Sequence, residues 1–382
     1  MNSLIYLDHA ASTPVSREVV EKMLPYMTEH YGNPSSIHSF GRAAVVAVMH
    51  ARDRIGAALK VPGKNIVLTS GGTESDNLAI LGTAAKREFQ GHVITSQTEH
   101  HAVLHACKRL EELGVRVTYL PVDESGRVAP ESVKQALEPD TFLITMMVAN
   151  NETGTLQPIA EIGAIARAAG VFFHVDAVQA FGSMKLEPVE LGIDLLSISS
   201  HKISGPKGIG ALYVSDRVKL KPQQFGGSQE RNRRAGTENV PGAVGFAAAV
   251  ELAMETLNDK SSKLERLRTL MLQTLRIELP EDAIISVNGN EEHRLPQILN
   301  LSFREITAET MLMNLDMAGV AAASGSACTS GSFQPSHVLE AMGLSQERIR
   351  SAIRFSFGVT NTEEEIVRAA KIVATVCRQI RK

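Results

Sequence analysis

The 382-residue sequence has no tryptophan, 4% aromatic residues and three cysteines. Cys107, Cys328 and Cys377 are odd in number and far apart, which argues against a disulfide framework and for a reducing compartment. No stretch approaches the roughly 18 uninterrupted apolar residues of a membrane span. The opening MNSLIYLDHA lacks the basic start and apolar run of a secretory leader. A formal net charge of −3 leaves no global basic field for nucleic acid or anionic lipid, and the cluster Arg231, Arg233, Arg234 is short. The expectation is a soluble, cytoplasmic protein with no direct nucleic-acid partner and no membrane partner.

With 43% hydrophobic and 21% charged residues, the chain can bury a sizeable core in two domains. Short apolar, β-branched runs recur: NIVLTS (65–70), HVITS (92–96), RVTYLPV (116–122), FLITMMVA (142–149), VFFHVDA (171–177), LLSISS (195–200) and GALYV (210–214). Helical spacing separates several of them, at 74–88, 101–113, 130–138 and 158–169. This alternation predicts an α/β fold with a mainly parallel seven-stranded sheet covered on both faces. The last run follows its predecessor so closely that antiparallel pairing is expected. Beyond about residue 240 the pattern changes to a long helix, 241–277, broken near Asn258-Asp259. Strand candidates at 284–287 and 297–303 and a final helix at 363–382 follow. The expected division is a large α/β domain over 16–255 and a smaller α+β domain built from 1–15 and 256–382.

Ligands of open parallel sheets bind at the carboxyl ends of the strands. After the first run comes GGTES, where two glycines and Thr73 open a helix and can hold an anion. Taken alone it fits an ordinary capped turn equally well. After the second comes QTEHHAVLH. After the fifth come Asp176 and, three residues on, Gln179. After the sixth comes SSHK, ending in Lys202. A desolvated lysine suits Schiff-base chemistry. With an aspartate for a protonated ring nitrogen and a phosphate cup, these are the three things pyridoxal 5'-phosphate (PLP) needs.

Carried on these residues, the chain resembles the cysteine desulfurases, fold-type I PLP enzymes of the class V aminotransferase group. The likeness runs nearly end to end through YLDHAASTP (6–14), GNPSSIHSFGR (32–42), LTSGGTESDNLAI (68–80), TEHHAVL (98–104), ANNETG (149–154), HVDAVQ (174–179), SSHKISGPKGIGALYV (199–214), GGSQERNRRAGTENV (226–240), SGSACTSGS (324–332) and IRFSFG (353–358). The long serine-rich cysteine loop is similar to that of the family's first group.

The resemblance implies Lys202 as the lysine bonded to PLP, Asp176 on the pyridine nitrogen, Gln179 on the phenolic oxygen and Asn151 on the cofactor and substrate. It implies Gly72, Thr73, Ser199 and His201 on the phosphate. Thr237 would reach the phosphate of the partner subunit, which implies a homodimer. His100 would stack on the ring and handle protons of the substrate thiol. Arg354 would grip the carboxylate of L-cysteine, and Asn33 would line the substrate side. Cys328 would receive the sulfur as a persulfide, leaving L-alanine. It would then pass the sulfur to an acceptor protein, an iron–sulfur scaffold or a tRNA- or cofactor-thiolating enzyme, with Cys328 a transient iron–sulfur ligand on such a scaffold. Two destinations imply a mobile loop over 324–334. A selenocysteine lyase or a class V aminotransferase are the same-fold alternatives, though an aminotransferase has no use for Cys328.

Other features read as structural. Cys107 and Cys377 sit on apolar helix stripes, where buried cysteine acts as a small hydrophobe. His101 and His105 are one helical turn apart, but no third ligand of suitable spacing completes a metal site. GPKGIG (205–210) matches neither nucleotide-loop pattern. Ser228 and Asn232 stand where many family members have glycine, and asparagine is expected to keep the left-handed turn. Val359 replaces a common arginine.

Overall fold

The computed structural model describes residues 4–325 and 335–381; Cys328 and most of the loop expected over 324–334 lie outside them. The central sheet has seven strands. In spatial order they are Ile66–Thr69, Gly210–Val214, Leu195–Ser199, Phe172–Asp176, Thr141–Met147, His92–Ser96 and Arg116–Leu120. Gly210–Val214 runs antiparallel to both of its neighbours, and the other pairings are parallel. All seven match the apolar runs of the sequence, including the antiparallel one. The strands are buried on both faces, as continuous rather than alternating apolar runs require, except the edge strand Arg116–Leu120, which is exposed or half-buried over its first four residues.

One face carries the helices Ser39–Ala58, Ile159–Ala169 and Val240–Glu255 over a core centred on Phe173, Ile198 and Phe246. The other carries Gly72–Lys86 and His101–Glu112, packed through Ile80, Val103 and Cys107. Phe173 is fully buried, so its truncation to alanine would cost about 3–5 kcal/mol.

A second core gathers Leu267, Met271, Leu301, Phe355, Val373 and Cys377 around a three-stranded antiparallel sheet, ordered Ala352–Ser356, Ile298–Phe303, Ile284–Asn288. The start of the chain joins this core: Ile5–Tyr6 pairs with Val320–Ala321, and Ile5 and Leu7 are buried in it. The break in the long helix falls at Thr256, two residues before the expected Asn258-Asp259. Thr256 Oγ1 turns back to donate to the Leu252 carbonyl at 2.8 Å, between Val240–Glu255 and Leu257–Glu278. Among the described residues no single helix is long and apolar enough to cross a membrane.

Two glycines set the approach of the segments that follow the strands. Gly210 lies opposite both Thr69 and Ser199. A Cβ there would sit 2.7 Å from Gly71 Cα, so only glycine lets the two strand ends close up. A Cβ on Gly72 would meet Val178 Cγ2 at 2.6 Å, which brings the helix start against the turn after Asp176.

Candidate active site

Asp176 ends its strand almost fully buried, and the Val178 N–H donates to its Oδ1 at 2.9 Å. Burial raises its carboxyl to about 6, against the opposing pull of that N–H and of the Lys202 charge. Asp76, on the helix Gly72–Lys86, is buried beside it and shifts well upward through burial and the neighbouring Asp176. Glu99 is a third buried carboxyl, pushed up to about 8 by burial. Ser96 Oγ donates to Glu99 Oε1 at 2.6 Å, and Glu99 Oε2 has no partner among the described residues. His174 lies 3.6 Å from Asp76 but is held neutral, its pKa pushed down to about 3 by burial. Its ring nitrogens instead meet the hydroxyls of Thr145 at 2.8 Å and Ser197 at 3.0 Å.

Three sealed acids served by hydroxyls and a backbone N–H make this end of the sheet a place for a cationic N–H. Asp76 Oδ1 is left without a partner among the described residues. A protonated pyridine nitrogen meets that need, so the interior behind Asp176 fits PLP.

Lys202 closes a short 3-10 turn, Ser200–Lys202. Its Nζ donates to the carbonyl oxygens of Ala10 and Ala11. Gln179 Nε2 donates to the same Ala10 oxygen at 2.8 Å. Thr13 fastens the turn from the other side: its hydroxyl donates to the His201 carbonyl at 2.7 Å and accepts from the Ser204 N–H at 2.8 Å. Residues 10–13 therefore hold the lysine turn as a strap, a role that YLDHAASTP carried only as part of the resemblance.

His100 caps the helix His101–Glu112, and its Nδ1 accepts the Ala102 N–H at 3.1 Å. That bond leaves the neutral ring's proton on Nε2. Burial, then the charge of Lys202, lowers its pKa to about 4. His201 is lowered to about 4 by burial and then Lys202, with Nδ1 3.3 Å from Ser12 Oγ. Both imidazoles are neutral at pH 7. His101 stacks on His105 and lies 4.6 Å from His337, whose Nε2 meets the Glu99 carbonyl at 3.0 Å. His337 escaped the sequence reading because it lies more than 200 residues away.

The segment expected to take the phosphate is the start of Gly72–Lys86. By geometry its first N–H groups have no acceptor within the helix, and Ser199 reaches it across Gly210. Thr73 is exposed there. Arg234 joins Glu74 through two guanidinium nitrogens, at 2.7 and 3.2 Å, and so holds the segment leading to the exposed Thr237 near this helix. In the turn before it, Glu230, Arg231 and Asn232 all have left-handed backbones, with φ of 46°, 56° and 63°. Asn232 takes the conformation expected of it. Ser228 does not, at φ −88°, so two charged residues carry the strain instead.

Arg354, on Ala352–Ser356, is buried at 5% exposure. Its Nη2 donates to Asp8 Oδ1 at 2.8 Å and its Nη1 to the Asn151 carbonyl at 2.9 Å. Nε is buried without a partner among the described residues. The guanidinium is thus oriented from two sides, and Asp8 is a site residue that the sequence reading missed. Asn33 is exposed and folds back to accept the Ser35 N–H at 2.8 Å. No described contact brings Asn33 or Thr237 to Lys202 within this chain. Cys328 lies outside the described residues, but its flanks converge on one buried carboxylate: Ser336 Oγ donates to Glu152, and a Cβ on Gly325 would collide with the same group.

The comparisons with known proteins agree with this geometry. The aminotransferase class-V family model matches residues 5–368. The chain is 51% identical over 378 residues to a putative cysteine desulfurase IscS 1 of Bacillus subtilis (strain 168), covering 98% of this chain and 99% of that protein. A solved NifS-like protein superposes with a TM-score of 0.92 at 35% identity, over 98% of this chain and all of the other. A solved SspA in complex with cysteine superposes with a TM-score of 0.79 at 37% identity, over 92% and 98% of the two chains. A lysine turn, a sealed aspartate and an oriented arginine on this fold agree with what those relatives are called, and the chain belongs to the aminotransferase class-V family, in its cysteine desulfurase branch.

Proposed function

We propose that this PLP-dependent cysteine desulfurase moves the sulfur of L-cysteine onto Cys328 and releases L-alanine. PLP, when bound, supplies the electron sink that lets the substrate Cα give up its proton. Asp176 would hold the ring nitrogen in its protonated form, as the one described acid at this end of the sheet whose pKa, at about 6, leaves it mostly ionised at pH 7. Gly72, Thr73, Ser199 and His201 take the phosphate, with Gln179 and Asn151 along the ring. The observation that carries the reading is Asp176 at the end of its strand, sealed from water and within the field of the Lys202 ammonium.

Arg354 takes the substrate carboxylate, pre-aimed by Asp8 and the Asn151 carbonyl. Lys202 Nζ accepts the Cα proton, and the carbonyls of Ala10 and Ala11 mark where it rests. Neutral His100 carries a proton on Nε2 and so can exchange one with the substrate thiol. The Cys328 thiolate then attacks the substrate sulfur. An Sγ–S bond forms, the Cβ–S bond breaks, and the electron pair left on carbon takes a proton to complete L-alanine.

The same reading includes a homodimer. Ile37 is 92% exposed, and with the neighbouring Phe40 and Tyr31, whose ring centroids lie 5.7 Å apart, it offers an apolar surface that a second copy would cover; Phe225 is 87% exposed as well. Thr237 would then act across the interface. It also divides the chain at 16–255 against 1–15 with 256–382, and sets the enzyme in the reducing cytoplasm. The persulfide goes to an acceptor protein, an iron–sulfur scaffold or a tRNA- or cofactor-thiolating enzyme. The test is to incubate the PLP-loaded enzyme with L-cysteine, quantify alanine and find the added sulfur by mass spectrometry. A mass gain of one sulfur on Cys328 is expected. Full turnover in Cys328→Ala overturns the assignment.

A further inference from the structure

A cavity of about 220 Å³ extends from Lys202 and Gln179 to Lys260. Several of its polar groups take no part in the chemistry above. His9 is 7% exposed; the Tyr6 backbone and the Asn361 side chain approach its ring, but no hydrogen bond of good geometry to either ring nitrogen forms among the described residues. Gln297 is 9% exposed; its Nε2 donates to Ser183 Oγ at 3.0 Å, while its Oε1 is unpartnered among the described residues. Lys260 Nζ donates to the Gly182 carbonyl at 2.9 Å, and no carboxylate is paired with it among the described residues. Burial lowers its pKa to about 8, so it is still mostly charged at pH 7. Leu252, Leu264 and Phe357 give the same cavity an apolar side.

Buried polar groups are normally satisfied, and exceptions ask for an occupant. A half-buried ammonium facing a cavity with no carboxylate beside it among the described residues suits an anion. Gln297 Oε1 calls for a hydrogen-bond donor. A neutral His9, its pKa lowered by burial, offers one donor and one acceptor. At roughly 30 Å³ per water-sized group, the cavity holds about seven non-hydrogen atoms. A carboxylate, a donor and a short apolar stem within seven atoms describe a small α-amino acid.

We infer that this cavity is a second binding site for a small α-amino acid, with Lys260 taking the carboxylate and Gln297 and His9 the ammonium. The pocket's chemistry is independent of the desulfurase reading. Only the choice of L-alanine as the first probe rests on it. Lys202 and Gln179 lie at one end of the cavity and Lys260 at the other, and Arg354 does not line it, so the site adjoins the catalytic one without sharing its carboxylate grip.

Equilibrium dialysis of the PLP-loaded enzyme against labelled L-alanine, with the cofactor absorbance followed in parallel, separates this site from the catalytic one. The expected result is saturable binding that leaves the absorbance unmoved. Lys260→Met and Gln297→Leu should each weaken it at least tenfold, with turnover at low alanine unchanged. Lys260→Arg should keep it, and with Gln297→Leu carries the test if Lys260→Met does not fold. Propionate, which lacks the ammonium, should bind at least tenfold more weakly. The inference is overturned if every bound alanine shifts the absorbance, if the silent binding survives both Lys260→Met and Gln297→Leu, or if propionate binds as well as alanine. A protein without desulfurase turnover that still bound alanine silently would separate failure of the catalytic reading from failure of this one.

Discussion

Asp8 Oδ1 accepts a hydrogen bond from Arg354 Nη2 at 2.8 Å, joining residues 346 positions apart. The arginine is 5% exposed, and among the described residues its guanidinium's other hydrogen-bond partner is the Asn151 carbonyl. Removing Asp8 leaves a buried guanidinium held from one side. Asp8→Ala is expected to raise KM for L-cysteine about tenfold or more, by the roughly 1.5–3 kcal/mol of a charge-assisted bond. Asp8→Asn should cost less, because an amide oxygen still accepts. Steady-state kinetics on both variants checks this; an unchanged KM in Asp8→Ala would show that Arg354 needs no such support.

The buried acids make a second pair of expectations. Asp176→Asn removes the anion and should lower kcat by roughly 10²–10³, the cost of losing one well-placed electrostatic partner. Asp76→Asn should stay within a few-fold of wild type, because Asp76 is held protonated by burial and by Asp176, and an amide is a near-isosteric neutral group. Equal losses in both variants would mean that Asp76 carries charge in the working enzyme.

The pH dependence of the cofactor-free protein follows from the same groups. His100 and His174 are neutral when folded, at about 4 and about 3. The unfolded chain binds their protons near 6.5, so stability falls as pH drops below that value. Glu99 is the reverse case. Its folded pKa of about 8 lies above the unfolded value, so its contribution is complete at low pH and is lost as pH rises through 8. Between pH 6.5 and 8 the melting temperature should therefore decline, and Glu99→Gln should flatten the decline. Calorimetry across that range decides it, and a slope identical in the two proteins would rule out Glu99 as the cause.

Gly210→Ala places a Cβ 2.7 Å from Gly71 Cα. The backbone must shift, at about 1–3 kcal/mol, and the shift falls on the helix start proposed to take the phosphate. A loss of PLP affinity of about tenfold or more is expected, measured by cofactor titration.

Ile37→Asp sets a charge in the exposed apolar surface assigned to the second copy. Sedimentation should show half the mass of wild type at equal concentration. An unchanged mass would move the interface elsewhere.

The sheet was legible because most of its strands are short apolar runs bounded by turn residues and separated by helical spacing. Lys202 and Asp176 were legible because strand ends are where such folds hold ligands. Asp8, Thr13, Glu99 and His337 were not, since their roles arise from contacts between distant segments that local periodicity does not encode. The break at Thr256 was displaced in the reading because Asn258 and Asp259 resemble helix breakers, while a threonine bonding back to Leu252 ends the helix first. Cys328 was visible as a motif, and it lies outside the described residues.

The strap formed by residues 10–13 bears on how the protein is made. A ribosome delivers this segment at once, together with the strand Ile5–Tyr6. The partners of Ile5–Tyr6 and Asp8, at Val320–Ala321 and Arg354, emerge more than 300 residues later. A nascent chain halted before residue 320 already holds the lysine turn and its aspartate. It lacks the grip on the substrate carboxylate, and its first strand has no edge to join. On the proposed roles, a truncated chain would carry Lys202 and Asp176 but neither Arg354 nor the strand that Ile5–Tyr6 joins.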